Sequence, residues 1–436
     1  MKRLTKAEFD LAIHKGLGRV YFHVKEYGDI DVRDQILNAL IYNLVYDNQS
    51  EGGRADWLYS IIELTNNEAF YEDEILKNLP NVKSDWDANQ LFNLLMQFAK
   101  RGSYKAKKAL YEKFDSQDFN ESWNGGDQII EVDGINGFLH VAERIGKRFI
   151  EDEEAFWEDD FMFTEVKDRF GAEKVIEAIN KQIENSEYLR TYFNKITKFE
   201  ARKSETKEQR VEKFRQEYPL EGMLINLELE ESHFPYSLFG RHAIEEDILT
   251  TFNLLKSETR KPQLLKLLSV FRGRKLPDLI DNVFNYVFDT DEDLSLAAIS
   301  ALSSSQNEKI HKLALEILNQ SNWQRRASGI ELLVNNYQSG DNIKIEELLN
   351  SVPSISDRDM VHNVVFDLVK LSEENNSSEM NQILLWIYEN SPCMNCRCKS
   401  VELLLINKAL PEEVLEECMY DGDEEIREIA QKANKF

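Results

Sequence analysis

From about residue 240 onward, apolar residues recur at i, i+3, i+4 and i+7, the spacing of one buried helix face, in blocks separated by short polar turns. The blocks align without gaps. They run Leu294–Leu302 around Ala298 and Ile299, Arg325–Leu333 around Gly329 and Ile330, Met360–Leu368 around Val364 and Val365, and Cys396–Leu404 around Ser400 and Val401; a truncated copy is Ile426–Ala430. The compact central residue advances from 298 to 329, 364, 400 and 430, in steps of 31, 35, 36 and 30. A step of that size holds one helical hairpin. The central residue is small because neighbouring helices approach closely there. Second helices are predicted over Lys309–Leu318, Ile345–Leu349, Met380–Tyr388 and Glu412–Met419.

The N-terminal half is helical but less regular. Thr5 is placed to cap the first helix, and Asp31–Leu40 reads as another first helix. Ala88–Lys100 puts Leu91, Leu94, Leu95 and Phe98 on one face; Gly102 stops it and Ser103 caps a helix over Lys105–Phe114. Residues 120–135, with Asn124-Gly-Gly-Asp127 and Asp133-Gly134, read as an irregular insertion before a helix over Phe138–Phe149. Helices are predicted over Thr164–Arg169, Ala172–Glu184 and Glu187–Ala201. Seven of the eight prolines come at 219 or later. The expected organisation is an irregular helical region over 1–201, a charged linker or bridging helix over 202–221, and a repeat region over 222–436.

The fold class is therefore all-α, an α-solenoid of stacked antiparallel helix pairs. The acidic turns Asp291-Glu-Asp-Leu294 and Asp423-Glu-Glu-Ile426-Arg427, each leading into a helix, together with the small-residue centres, resemble the HEAT/armadillo superfamily over residues 240–436. That resemblance implies a fold and carries no catalytic residue with it.

Composition narrows the setting. Of 436 residues, 42% are hydrophobic and 11% aromatic, enough to bury extended cores and unlike a disordered chain. No window approaches the roughly 18 apolar residues of a membrane span, and the first residues lack a signal-peptide stretch, so a cytoplasmic protein with no membrane partner is expected. There are 79 acidic against 53 basic side chains, a formal charge of −26. That field repels DNA and anionic lipid and attracts basic partners.

Charge is unevenly placed. Glu153, Glu154, Asp159 and Asp160 flank Phe156 and Trp157, an acidic segment with aromatic anchors for a basic protein. The opposite sign gathers in Lys261, Lys266, Arg272, Arg274 and Lys275, and in Arg325 and Arg326 at a helix start beside Trp323. Those residues are the candidate phosphate contacts if the chain instead binds nucleic acid, as do the alkylpurine DNA glycosylases among HEAT-type solenoids. Cys393-Met-Asn-Cys396-Arg-Cys398, with Cys418 following, could hold a metal ion, but the commoner account is small reduced core residues, so no metal and no cofactor is expected. The seven histidines are scattered and none stands in an H-E-x-x-H pairing; no phosphate loop or nucleophile elbow occurs. The expected function is a non-enzymatic scaffold binding a basic protein or peptide along an extended surface.

Overall fold

The computed structural model describes residues 2–117, 124–152, 160–196, 205–352 and 357–435, which form 27 α-helices and no strand. Neighbouring helices pack in sequence order, as an all-α solenoid-like chain requires. Contacts divide the chain into two units, one of Met1–Lys203 with Glu413–Phe436 and one of Ser204–Glu412.

In the second unit, the helices Lys261–Val270, Glu292–Ser303, Trp323–Leu333, Arg358–Glu374 and Met394–Ile406 each pack on the next. A second layer of Glu308–Leu318, Asn342–Leu349 and Asn381–Asn390 lies against them. The spacing of apolar positions along these helices explains the packing. The central residues Ala298, Gly329, Val364 and Ser400 are all buried, and Ile299, Ile330, Val365 and Val401 after them are fully buried. So are Leu302, Leu333, Leu368 and Leu404, one turn further on. A Cβ on Gly329 would lie 3.0 Å from the Ala314 carbonyl oxygen, so the small residue does sit where two helices meet. Acidic caps start several of these helices: Asp291 accepts from the Leu294 amide at 3.0 Å and Asp357 from the Asp359 amide at 2.9 Å.

The first unit carries its own core. Phe92, Leu110, Phe114, Ile129, Phe138, Ile145, Val175 and Tyr192 belong to one buried cluster. The predicted caps are present: Thr5 and Glu8 form a reciprocal capping box, and Ser103 accepts from the Ala106 amide at 3.2 Å. Of the irregular insertion expected over 120–135, residues 120–123 lie outside the described residues and the remainder is corrected. Gly126–Asp133 is a helix, bracketed by Gly125 at φ 102° and Gly134 at φ 59°. The glycine turn signals are real but mark the two ends of a short helix, whose Ile129 and Ile130 are buried. The charged stretch expected as a linker or bridging helix contains the helix Lys207–Glu217, which buries none of its residues.

Residues 413–436, read from the sequence as the end of the repeat array, group with residues 1–203. Glu417 accepts from Arg19 Nε at 2.7 Å and Nη2 at 3.0 Å. Tyr420 stacks on Tyr21 with ring centroids 4.4 Å apart, and its carbonyl accepts from Trp57 Nε1 at 2.9 Å.

Candidate functional site

Of the acidic and aromatic segment, Glu153, Glu154, Phe156, Trp157 and Asp159 lie outside the described residues. Asp160 is exposed at the start of the helix Phe161–Phe170, and Phe161 beside it is exposed too.

Five of the seven candidate phosphate contacts are engaged by the chain's own groups. Lys266 crowns the end of the helix Leu220–Leu227, donating to the carbonyls of Asn226 at 3.1 Å and Leu227 at 3.4 Å. Arg274 donates to the carbonyls of Gly240 at 2.8 Å and Ala243 at 3.1 Å, and pairs with Glu245. Arg325 donates to the Val287 carbonyl, and Arg326 to the Leu318 carbonyl at 2.7 Å and the Ser351 hydroxyl at 3.2 Å. These four cations satisfy carbonyls left over at helix ends and turns. Lys261 pairs with Asp291 of the next helix. Arg272 and Lys275 are exposed. Lys275 lines a cleft of about 600 Å³ with Arg241, Glu245, Arg274 and the apolar Ile248, Leu276 and Pro277.

A different group forms on two neighbouring helices of the array. Glu331 on Trp323–Leu333 and Asp367 on Arg358–Glu374 come from neighbouring helices, and each is half-buried. Burial raises the Asp367 carboxyl to about 7, helped by the Glu331 charge and opposed by Lys370 and Arg272. Burial also raises Glu331, against the Ser300 and Ser303 hydroxyls, Lys370 and Arg272. Two acids in one desolvated place cannot both ionise cheaply, so Asp367 keeps its proton up to about pH 7. Exposed apolar surface lies on these and the preceding helix: Phe366, next to Asp367, is 48% exposed, and Leu296 on Glu292–Ser303 is 43% exposed. The Lys370 ammonium sits 4.1 Å from the Phe366 ring centroid.

Strongly shifted acids beside exposed apolar surface make this place a candidate ligand site. The sequence reading passed over it because Glu331 and Asp367 are two among 79 carboxylates. One signal was available: Asp367 interrupts the apolar run Val364-Val-Phe-Asp-Leu368.

The shift has a consequence for stability. The folded pKa of Asp367 lies above its ordinary 3.8, so the folded state holds more protons than the unfolded state between those values. Stability is then full below pH 4 or so and falls as pH rises through about 7. Asp367→Asn is expected to stabilise the second unit by about 1–2 kcal/mol at about pH 8, and by almost nothing at about pH 4. Urea unfolding at both pH values checks this; an equal effect at both contradicts the assignment.

All four thiols are buried, with Cys393, Cys396 and Cys398 in the second unit and Cys418 in the first. No helix among the described residues is long and apolar enough to cross a membrane. No protein-family model matches the chain, and a search of curated proteins returns no relative.

Proposed function

We propose that this chain is a non-enzymatic α-solenoid scaffold, of the HEAT/armadillo kind it resembles in sequence, that holds a basic protein or peptide along residues 261–406. The reading places it in the cytoplasm and gives it no cofactor. The observation that carries it is the Glu331 and Asp367 pair, set across two successive repeats beside exposed Phe366. A partner's Lys or Arg would displace the Asp367 proton and lay its aliphatic stem on Phe366. Acids outnumber bases in both units, so the wider field draws the same class of partner.

The nucleic-acid reading, a solenoid of the DNA-glycosylase type, has less support. It retains Arg272 and Lys275, while the donors of Lys266, Arg274, Arg325 and Arg326 are spent on the chain's own carbonyls. A fluorescein-labelled peptide with Arg and Leu at helical spacing, titrated in parallel with a labelled DNA duplex at low salt, separates the two. Saturable, salt-weakened peptide binding with no duplex retention is expected. Duplex retention without peptide binding contradicts the proposal.

A further inference from the structure

The Cys-x-x-Cys step at residues 393–396 falls at the start of a helix. Cys393 is the N-cap of Met394–Ile406 and Cys396 lies in its first turn. One turn of helix therefore brings both sulfurs toward one point, where the positive end of the helix dipole favours the negative charge of thiolates. Ser391 fixes the approach. Its hydroxyl accepts from the Cys393 amide at 3.1 Å and donates to the Cys393 carbonyl at 2.9 Å, and the residue is fully buried.

The third group comes from the preceding repeat. His362 on Arg358–Glu374 places Nε2 3.8 Å from Cys396 Sγ. A ring nitrogen of His362 and the sulfurs of Cys393 and Cys396 all lie within 4.8 Å of one another. Zinc bonds of about 2.3 Å to sulfur and about 2.0–2.1 Å to nitrogen, at tetrahedral angles, require a sulfur–nitrogen edge near 3.6 Å and a sulfur–sulfur edge near 3.8 Å. The His362–Cys396 edge, at 3.8 Å, is close to the first value, and the other two, no longer than 4.8 Å, come within reach by side-chain rotation. Cys393 is 5% exposed and Cys396 8%, whereas His362 is half-buried and leaves a side for the ion to enter.

We propose that His362, Cys393 and Cys396 form a zinc site that clips two successive repeats of the array together. Two thiolates and an imidazole are the donor set of a soft-to-borderline cation, and they exclude calcium and magnesium, which require oxygen. Three protein ligands leave the fourth position to water or to a group supplied by another molecule. Cys398 and Cys418, grouped with the other cysteines in the sequence reading, take no part; His362, which that reading left among scattered histidines, completes the set. The ligands must shed their protons, so binding weakens as pH falls.

The test uses the full chain, reduced and stripped with a chelator, then titrated with cobalt(II) and afterwards with zinc(II). The expected result is one equivalent of cobalt with a thiolate-to-cobalt charge-transfer band, displaced by zinc, and a higher unfolding temperature in zinc. His362→Ala and Cys396→Ser are each expected to weaken cobalt binding at least about tenfold, while Cys398→Ser leaves it unchanged. Circular dichroism of His362→Ala, altered at a half-buried position, verifies that loss of binding is not loss of fold. Absence of the band, equal affinity in His362→Ala, or a Cys393–Cys396 disulfide that takes no metal after reduction would each overturn the site.

Discussion

Gly240→Ala is expected to destabilise the second unit by about 4 kcal/mol, at the top of the usual range for a single substitution. A Cβ on Gly240 would stand 1.7 Å from the Val270 carbonyl oxygen and 2.7 Å from its carbon. Both are backbone atoms, so no side chain can turn aside. The helix Tyr236–His242 would have to leave the end of Lys261–Val270, loosening buried Tyr236 and Phe239. The move would also break the 2.8 Å bond from Arg274 to the Gly240 carbonyl. Urea unfolding of the variant measures the loss. Gly52→Ala is the matched control, because nothing lies within 4 Å of its added Cβ. A Gly240→Ala loss no larger than that control's would mean that the two helices do not pack as described.

Glu417→Ala is expected to cost the first unit about 2–3 kcal/mol, somewhat below the 3–5 kcal/mol of a fully buried broken pair because Arg19 keeps some contact with water. The Glu417 side chain is 6% exposed and that of Arg19 25%. Both carboxylate oxygens are engaged by the guanidinium, and the Arg19 amide adds a bond at 3.2 Å. The two residues stand 398 positions apart in the chain. Their pairing is thus the direct chemical signature that residues 413–436 complete the first unit. Thermal unfolding of Glu417→Ala and Glu417→Gln reads the effect: Gln keeps one acceptor and should recover part of the loss. If Ala were as stable as the native chain, the pairing would carry no weight in the fold.

Helix positions were largely legible because they depend on local chemistry. The second helix expected over Lys309–Leu318 is Glu308–Leu318, and the one expected over Glu412–Met419 is Glu412–Cys418. The compact centres 298, 329, 364 and 400 all proved buried, since the stripe that buries a helix is written at its own spacing. Positions 124–134 misled because glycine turns look alike whether they open a loop or cap a short helix. What the chain did not disclose was register between repeats. Glu331 comes within electrostatic reach of Asp367, and His362 meets Cys396, only through the packing of neighbouring helices. The same limit hid the roles of the cations: Arg325 and Arg326 read as a basic pair at a helix start, yet both donate to carbonyls of the preceding turns and helices.

The central claim is that the acid pair of the helix array receives a cationic partner. Titration of the Arg/Leu peptide from about pH 6 to about pH 8, into the native chain and into Glu331→Gln/Asp367→Asn, tests it most directly. In the native chain the affinity should rise with pH as Asp367 gives up its proton near 7. The double variant should bind at least about tenfold more weakly at the upper pH, about 1.4 kcal/mol, with the pH dependence gone. Equal affinity and an equal pH profile in the two proteins would contradict the account.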